Sequence, residues 1–141
     1  MIKNYDFKSP CPTNVEFTDC QMHFPHAVLY AVELDDRVIV HLNVNKGLKP
    51  HSPDTPTDQK CDTRNIWCYR KPTPEHPDGE FLWKVQPPVL PNGQPHPLPY
   101  YNLRYWKERD IICASSLYLS YEVDPENGHI TFIHPGKARA W

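Results

Sequence analysis

Cations stand beside aromatic rings through the middle third of this sequence: Trp67, Tyr69, Arg70 and Lys71, then Trp83 and Lys84, then Tyr100, Tyr101, Arg104, Tyr105, Trp106, Lys107 and Arg109. A ring that stacks on a base, flanked by guanidinium or ammonium groups that hold phosphate, is the pairing used in nucleotide and single-strand capture. Trp67, Tyr69, Tyr105 and Trp106 are the candidate stacking rings, and Arg70, Arg104 and Arg109 the candidate phosphate partners. The same composition also serves cation–π packing on an ordinary sheet face, with long side chains lying along apolar surface. Because successive strand residues face opposite ways, half of the adjacent pairs cannot share a pocket.

Other chemistries are less well supported. Cys20, His23 and His26 follow one another at three-residue spacing with Cys11 upstream, four ligands of the kind zinc accepts. Structural zinc sites usually show two separated ligand pairs, and Pro25 holds the chain extended between the histidines, so the favoured reading is ordinary histidines with inert cysteines and no cofactor. His129-Ile130-Thr131 has the His-x-Thr form of two-histidine phosphoesterases, but His51-Ser52-Pro53 lacks the hydroxyl that a second copy needs. Cys113 on a predicted strand suits a core as well as a nucleophile. No Gly-x-Ser-x-Gly elbow occurs, and Gly47, Gly79, Gly93, Gly128 and Gly136 are too scattered to cradle a phosphate chain. A binding protein is therefore expected before an enzyme, with a zinc-dependent or His-based hydrolase as the last alternative.

The elements that must carry these residues are delimited by 17 prolines against 5 glycines. Proline cannot donate to a sheet ladder and clashes inside a helix, so the runs Pro50 to Pro56, Pro72 to Pro77 and Pro87 to Pro99 mark where regular structure stops. Between them, Val28, Tyr30, Val32, Leu34 and then Val38, Val40, Leu42, Val44 alternate about Asp35-Asp36, which predicts a hairpin over 27–45 with those eight residues on shared faces. Leu29, Ala31 and Ile39 make its other face partly apolar, as in a strand pair covered on both sides. A second hairpin is predicted from 64–70 and 80–86, with Trp67 and Tyr69 on one face of its first strand and Phe81, Trp83 and Val85 on one face of its second.

Residues 100–109 suit a strand ending in a turn at 107–110, with a short helix as the alternative. Leu117, Leu119, Tyr121 and Val123, the turn Asp124-Pro125-Glu126-Asn127-Gly128, and the stretch from Ile130 predict a third hairpin. The result is one all-β domain over 1–141: antiparallel hairpins in a sandwich, curved sheet or partly open barrel, with long Pro-rich loops and at most one or two short helices. The segment 87–99 reads as an extended, solvated polyproline connector or arm that borders any site.

Seventeen aromatic residues argue against disorder. Net charge is −2, with balances of −3, +3 and −2 over 1–63, 64–109 and 110–141, so nothing drives the whole chain toward duplex nucleic acid or acidic membranes. The amino-terminal residues lack the apolar stretch of a signal peptide, no run approaches the roughly 20 residues of a membrane span, and five cysteines cannot all pair within one chain. These features predict a cytosolic protein with reduced thiols. Its expected partner is a nucleotide-like or other anionic ligand. The alternative is a protein partner or inhibited target, met by the Pro-rich arm and the terminal Trp141 beside Lys137 and Arg139, and pairing of strand edges would give a homo-oligomer. A small chain poor in motifs also suits an accessory protein of a phage or mobile element, an association that no single residue carries.

Overall fold

The computed structural model describes residues 2, 13–44, 63–96, 98–116 and 119–133. Ten strands run through them in chain order: β1 Asn14–Glu16, β2 Gln21–His23, β3 Ala27–Glu33, β4 Arg37–Asn43, β5 Ile66–Arg70, β6 Glu80–Lys84, β7 Asn102–Trp106, β8 Ile111–Ser116, β9 Leu119–Val123 and β10 Ile130–Phe132. All pairings are antiparallel, in a two-stranded sheet β1-β2 and two four-stranded meanders, β3-β4-β5-β6 and β10-β9-β8-β7. The described residues contain no helix, and so none long and apolar enough to cross a membrane. The chain is all-β, as its alternation predicts, and the sheets do not close into a barrel.

The two meanders pack face to face. Val32, Ile39, Ile66, Cys68, Trp83 and Val85 from the first meet Tyr100, Leu103, Ile112, Ala114, Tyr121 and Val123 from the second. On its other side the first meander carries Val28, Ala31, Val38, Val40, Leu42 and Trp67, covered by Val15, Met22 and Phe24 of the β1-β2 region. Strand β4 is therefore buried on both faces.

Two bulges redistribute the residues that simple alternation places together. The β3-β4 register skips Leu29, so Val28 opposes Leu42 while Tyr30 opposes His41 and Val32 opposes Ile39. Tyr30, Val32 and Leu34 thus turn toward the second meander, and Val28 stays with Val38, Val40, Leu42 and Val44 on the far face. The β5-β6 register skips Leu82, which pairs Phe81 with Tyr69 but Trp83 with Cys68. Phe81 therefore parts from Trp83 and Val85 and stands 51% exposed. An extra residue in one strand inverts every later side chain, and neither leucine announces this in the sequence.

A buried polar junction fixes where β7 begins. Asn65 donates from Nδ2 to the carbonyls of Leu42 (2.9 Å) and Tyr100 (2.8 Å), and accepts at Oδ1 from the Tyr100 amide (2.9 Å). His41 Nε2 donates to the same Tyr100 carbonyl at 2.8 Å. Burial disfavours its charged form and lowers its pKa, against the smaller opposing effect of that hydrogen bond. From this junction 102–106 runs as a strand, Leu103 opposite Ala114, and the helical alternative for 100–109 is not adopted.

The described part of the Pro-rich segment folds back on itself. The His96 amide donates to the Pro88 carbonyl (2.9 Å), the Leu90 amide to Gln94 (2.8 Å), and Val89 bridges Pro95. Residues 91–94 are exposed, but Pro88, His96 and Pro99 are buried. Proline loses a donor and keeps its acceptor, so a chain rich in proline can still close on itself where non-proline amides face proline carbonyls.

Candidate functional site

Leu103 belongs to the core between the meanders and Tyr105 packs against it, so Arg104 and Trp106 alternate onto the outer face of β7. The turn after β7 is held by hydrogen bonds from the Arg109 amide to the Trp106 carbonyl (3.1 Å) and from the Asp110 amide to the Lys107 carbonyl (3.2 Å). Asp110 adopts φ of 53°, a left-handed conformation that aspartate tolerates better than most residues. The Tyr105 hydroxyl donates to Asp110 Oδ1 at 2.7 Å. This turn carries Arg109 back over its own strand, with its Cζ 4.5 Å from the centre of the Trp106 ring. Arg104, Lys107 and Arg109 are exposed and Trp106 is half-buried. Among the described residues no carboxylate forms an ion pair with these three cations.

The remaining predicted residues lie elsewhere. Trp67 and Tyr69 face away from the second meander, beneath the β1-β2 region. The Trp67 indole donates to the Arg64 carbonyl (2.8 Å), with Lys84 Nζ 4.6 Å over its ring and the His26 ring 6.2 Å away. Tyr69 stands edge-on between Phe24 and Phe81, each 5.6 Å distant. Arg70 Nε lies 3.2 Å from Glu80 Oε2. Trp67 and Tyr69 are outer-layer packing of the first meander, whereas Arg70 is exposed at the end of β5 and paired with Glu80. Stacked sheets lie about 10 Å apart, so Trp67 and Tyr69 cannot share a ligand with Arg104, Trp106 and Arg109 across the whole sandwich, and Arg70 is engaged by Glu80. Tyr105 also leaves the set, because its ring turns inward.

Of the candidate metal ligands, Cys11 lies outside the described residues. Cys20 occupies the turn between β1 and β2, where its carbonyl accepts from the Phe17 amide (2.8 Å). His23 Nδ1 is 4.0 Å from Asp78 Oδ1, and His26 packs on Trp67. Among the described residues no three metal-ligating side chains converge. Burial pushes the Cys68 thiol up to about 12 and that of Cys113 to about 11, which deprives both of thiolate character. His129 carries the single His-x-Thr on the turn into β10. Trp141 and its flanking cations lie outside the described residues.

A concavity of about 350 Å³ is lined by Gln86, Pro87, Pro88, Val89, Pro95 and Ile130. Its walls are tied down: Gln86 Oε1 accepts from the Ile130 amide (2.9 Å), the Tyr100 hydroxyl donates to the Gln86 carbonyl (2.7 Å), and the Tyr121 hydroxyl donates to the Val89 carbonyl. The Pro-rich segment thus forms one wall of a groove, and no sequence signal names Gln86 or Ile130 as the other. The groove lies beside β10 and the arginine face on β7, opposite edges of one meander.

Comparison with protein-family models, curated proteins and solved structures returns no match to this chain.

Proposed function

We propose that this chain is a non-enzymatic binding protein that captures an anionic ligand on the outer face of β7 and the turn after it. The carrying observation is Arg109 laid over Trp106 on the face that also presents Arg104. A guanidinium stacked on a ring keeps its N–H donors at the rim of the plane, where they match phosphate or carboxylate oxygens. Lys107 adds a third cation, against the exposed carboxylate of Glu108 in the same turn. Holding the cation before the ligand arrives lowers the entropy cost of binding. A thermal-shift series and calorimetric titration with a nucleotide panel at low salt test this reading. Stabilisation that Arg104→Ala abolishes supports it, and unchanged melting with no heat across the panel contradicts it.

The second reading, a protein-interaction module, is favoured by the groove beside Pro87, Pro88, Val89 and Pro95, next to the 37% exposed Phe132 of the edge strand β10. Rigid apolar walls at a sheet edge suit an extended peptide. Val89→Asp would then impair partner binding and leave anion binding unchanged.

A further inference from the structure

We infer that the β7 face grips the phosphate end of a small phosphomonoester and is indifferent to any base attached to it, an inference that rests on the anion-binding reading above. Aromatic rings that could hold a base are accounted for one by one. Trp106 is half-buried and one face of its indole lies beneath the Arg109 guanidinium, so its free π surface is small. Tyr105 turns into the core side and its hydroxyl is engaged by Asp110. Tyr101 is 57% exposed, but it precedes β7, at the end of the strand opposite to the turn that carries Arg109 and about 16 Å along the chain from Trp106. Trp67 and Tyr69 belong to the far layer of the sandwich.

The cations, by contrast, are arranged for one compact oxyanion. Arg104 and Trp106 are two residues apart on one face, about 7 Å along the strand, and Arg109 lies over Trp106. Two guanidinium forks can reach separate oxygens of a tetrahedral group, and a phosphomonoester offers three terminal oxygens and up to two charges where a carboxylate offers two oxygens and one. Asp110 serves as a positioning residue: with Tyr105 it locks the turn that lays Arg109 across the ring.

The test is a calorimetric titration of the full chain at low salt with AMP, UMP, adenosine and inorganic phosphate, repeated on Arg104→Ala and Tyr105→Phe. The expected result is AMP and UMP binding within about threefold of each other, phosphate competing with both, and no saturable binding of adenosine. Arg104→Ala should abolish binding. Tyr105→Phe keeps every cation but releases the turn, and should weaken AMP about fivefold. AMP exceeding UMP more than tenfold while Arg104→Ala still abolishes both overturns base indifference and leaves the anion reading standing, whereas adenosine binding as tightly as AMP overturns both. Silence from all four probes on the folded protein overturns the anion reading itself.

Discussion

Gly128 sits so close against Trp83 that a Cβ placed on it would come within 2.9 Å of indole Cδ2 and nearer still to Cε3. Its φ of +74° is one that side-chain-bearing residues rarely adopt. The turn that joins β9 to β10 is thereby seated on a core tryptophan of the opposite meander.

Gly128→Ala should therefore cost about 2 kcal/mol or more, the sum of left-handed strain and overpacking. Gly93, at φ +84°, has nothing within 4 Å of the same construction, so Gly93→Ala should lose only about 1 kcal/mol. Chemical denaturation of the two variants checks the difference, and equal losses would count against the Trp83 contact.

The Pro125 carbonyl accepts from both Trp83 Nε1 and Arg37 Nη1, each at 2.9 Å, which ties the first meander to the β9-β10 turn. Arg37→Met should remove about 1 kcal/mol, and Trp83→Phe more, because it also vacates core volume beside Gly128. Because they share an acceptor, the double variant should depart from the sum by at least about 0.5 kcal/mol. Strict additivity in a double-mutant cycle would show that the shared carbonyl does not couple them.

Two buried histidines should make stability depend on pH. Burial lowers the pKa of His41 below 6.5, and it lowers that of His96, whose Nδ1 accepts from the Leu98 amide at 3.0 Å. The folded chain then binds fewer protons than the unfolded one, so their contribution is whole above about 6.5 and declines as pH falls from there toward the lowered values. Glu33 adds to this at lower pH. Burial raises its pKa, but Lys71 Nζ at 2.9 Å and the Ile2 amide at 2.8 Å outweigh that effect and the net shift is downward, so its contribution fades as pH drops below about 4.5. Urea midpoints at pH 7.5 and 5.5 should differ, and less so in His96→Gln, whose amide oxygen can accept from the Leu98 amide without titrating.

Thiol labelling of the native protein should distinguish the cysteines by burial. Cys20 is partly exposed, whereas Cys68 and Cys113 are buried with raised pKa values. Mass mapping should find Cys20 modified in buffer and the other two only in denaturant. Labelling of Cys113 in the folded state would revive it as a reactive residue.

Much of this fold is written in local pattern, and the exceptions have physical causes. The hairpin about Asp35-Asp36, the strand at 102–106 and the pair across Asp124 to Gly128 follow from period-2 alternation bounded by turn residues. The β1-β2 hairpin escapes such reading because Asn14-Val15-Glu16 and Gln21-Met22-His23 each contain a single apolar residue, too little to show a period. The bulges at Leu29 and Leu82 are set by packing on two faces at once, which no one-dimensional pattern encodes. The candidate site was legible as composition and not as geometry. Of Trp67, Tyr69, Arg70, Arg104, Tyr105, Trp106 and Arg109, only Arg104, Trp106 and Arg109 come together, because strand alternation turns Tyr105 inward, the sandwich separates Trp67 and Tyr69, and Arg70 pairs with Glu80.

The most direct test is a titration of the ¹⁵N-labelled protein with inorganic phosphate, followed through backbone amides and the side-chain Nε of its arginines. Saturable shifts confined to residues 102–110 are expected, with the Arg104 and Arg109 Nε signals moving most. Shifts centred instead on Gln86, Val89 and Ile130, or none at all, would contradict a site on the β7 face.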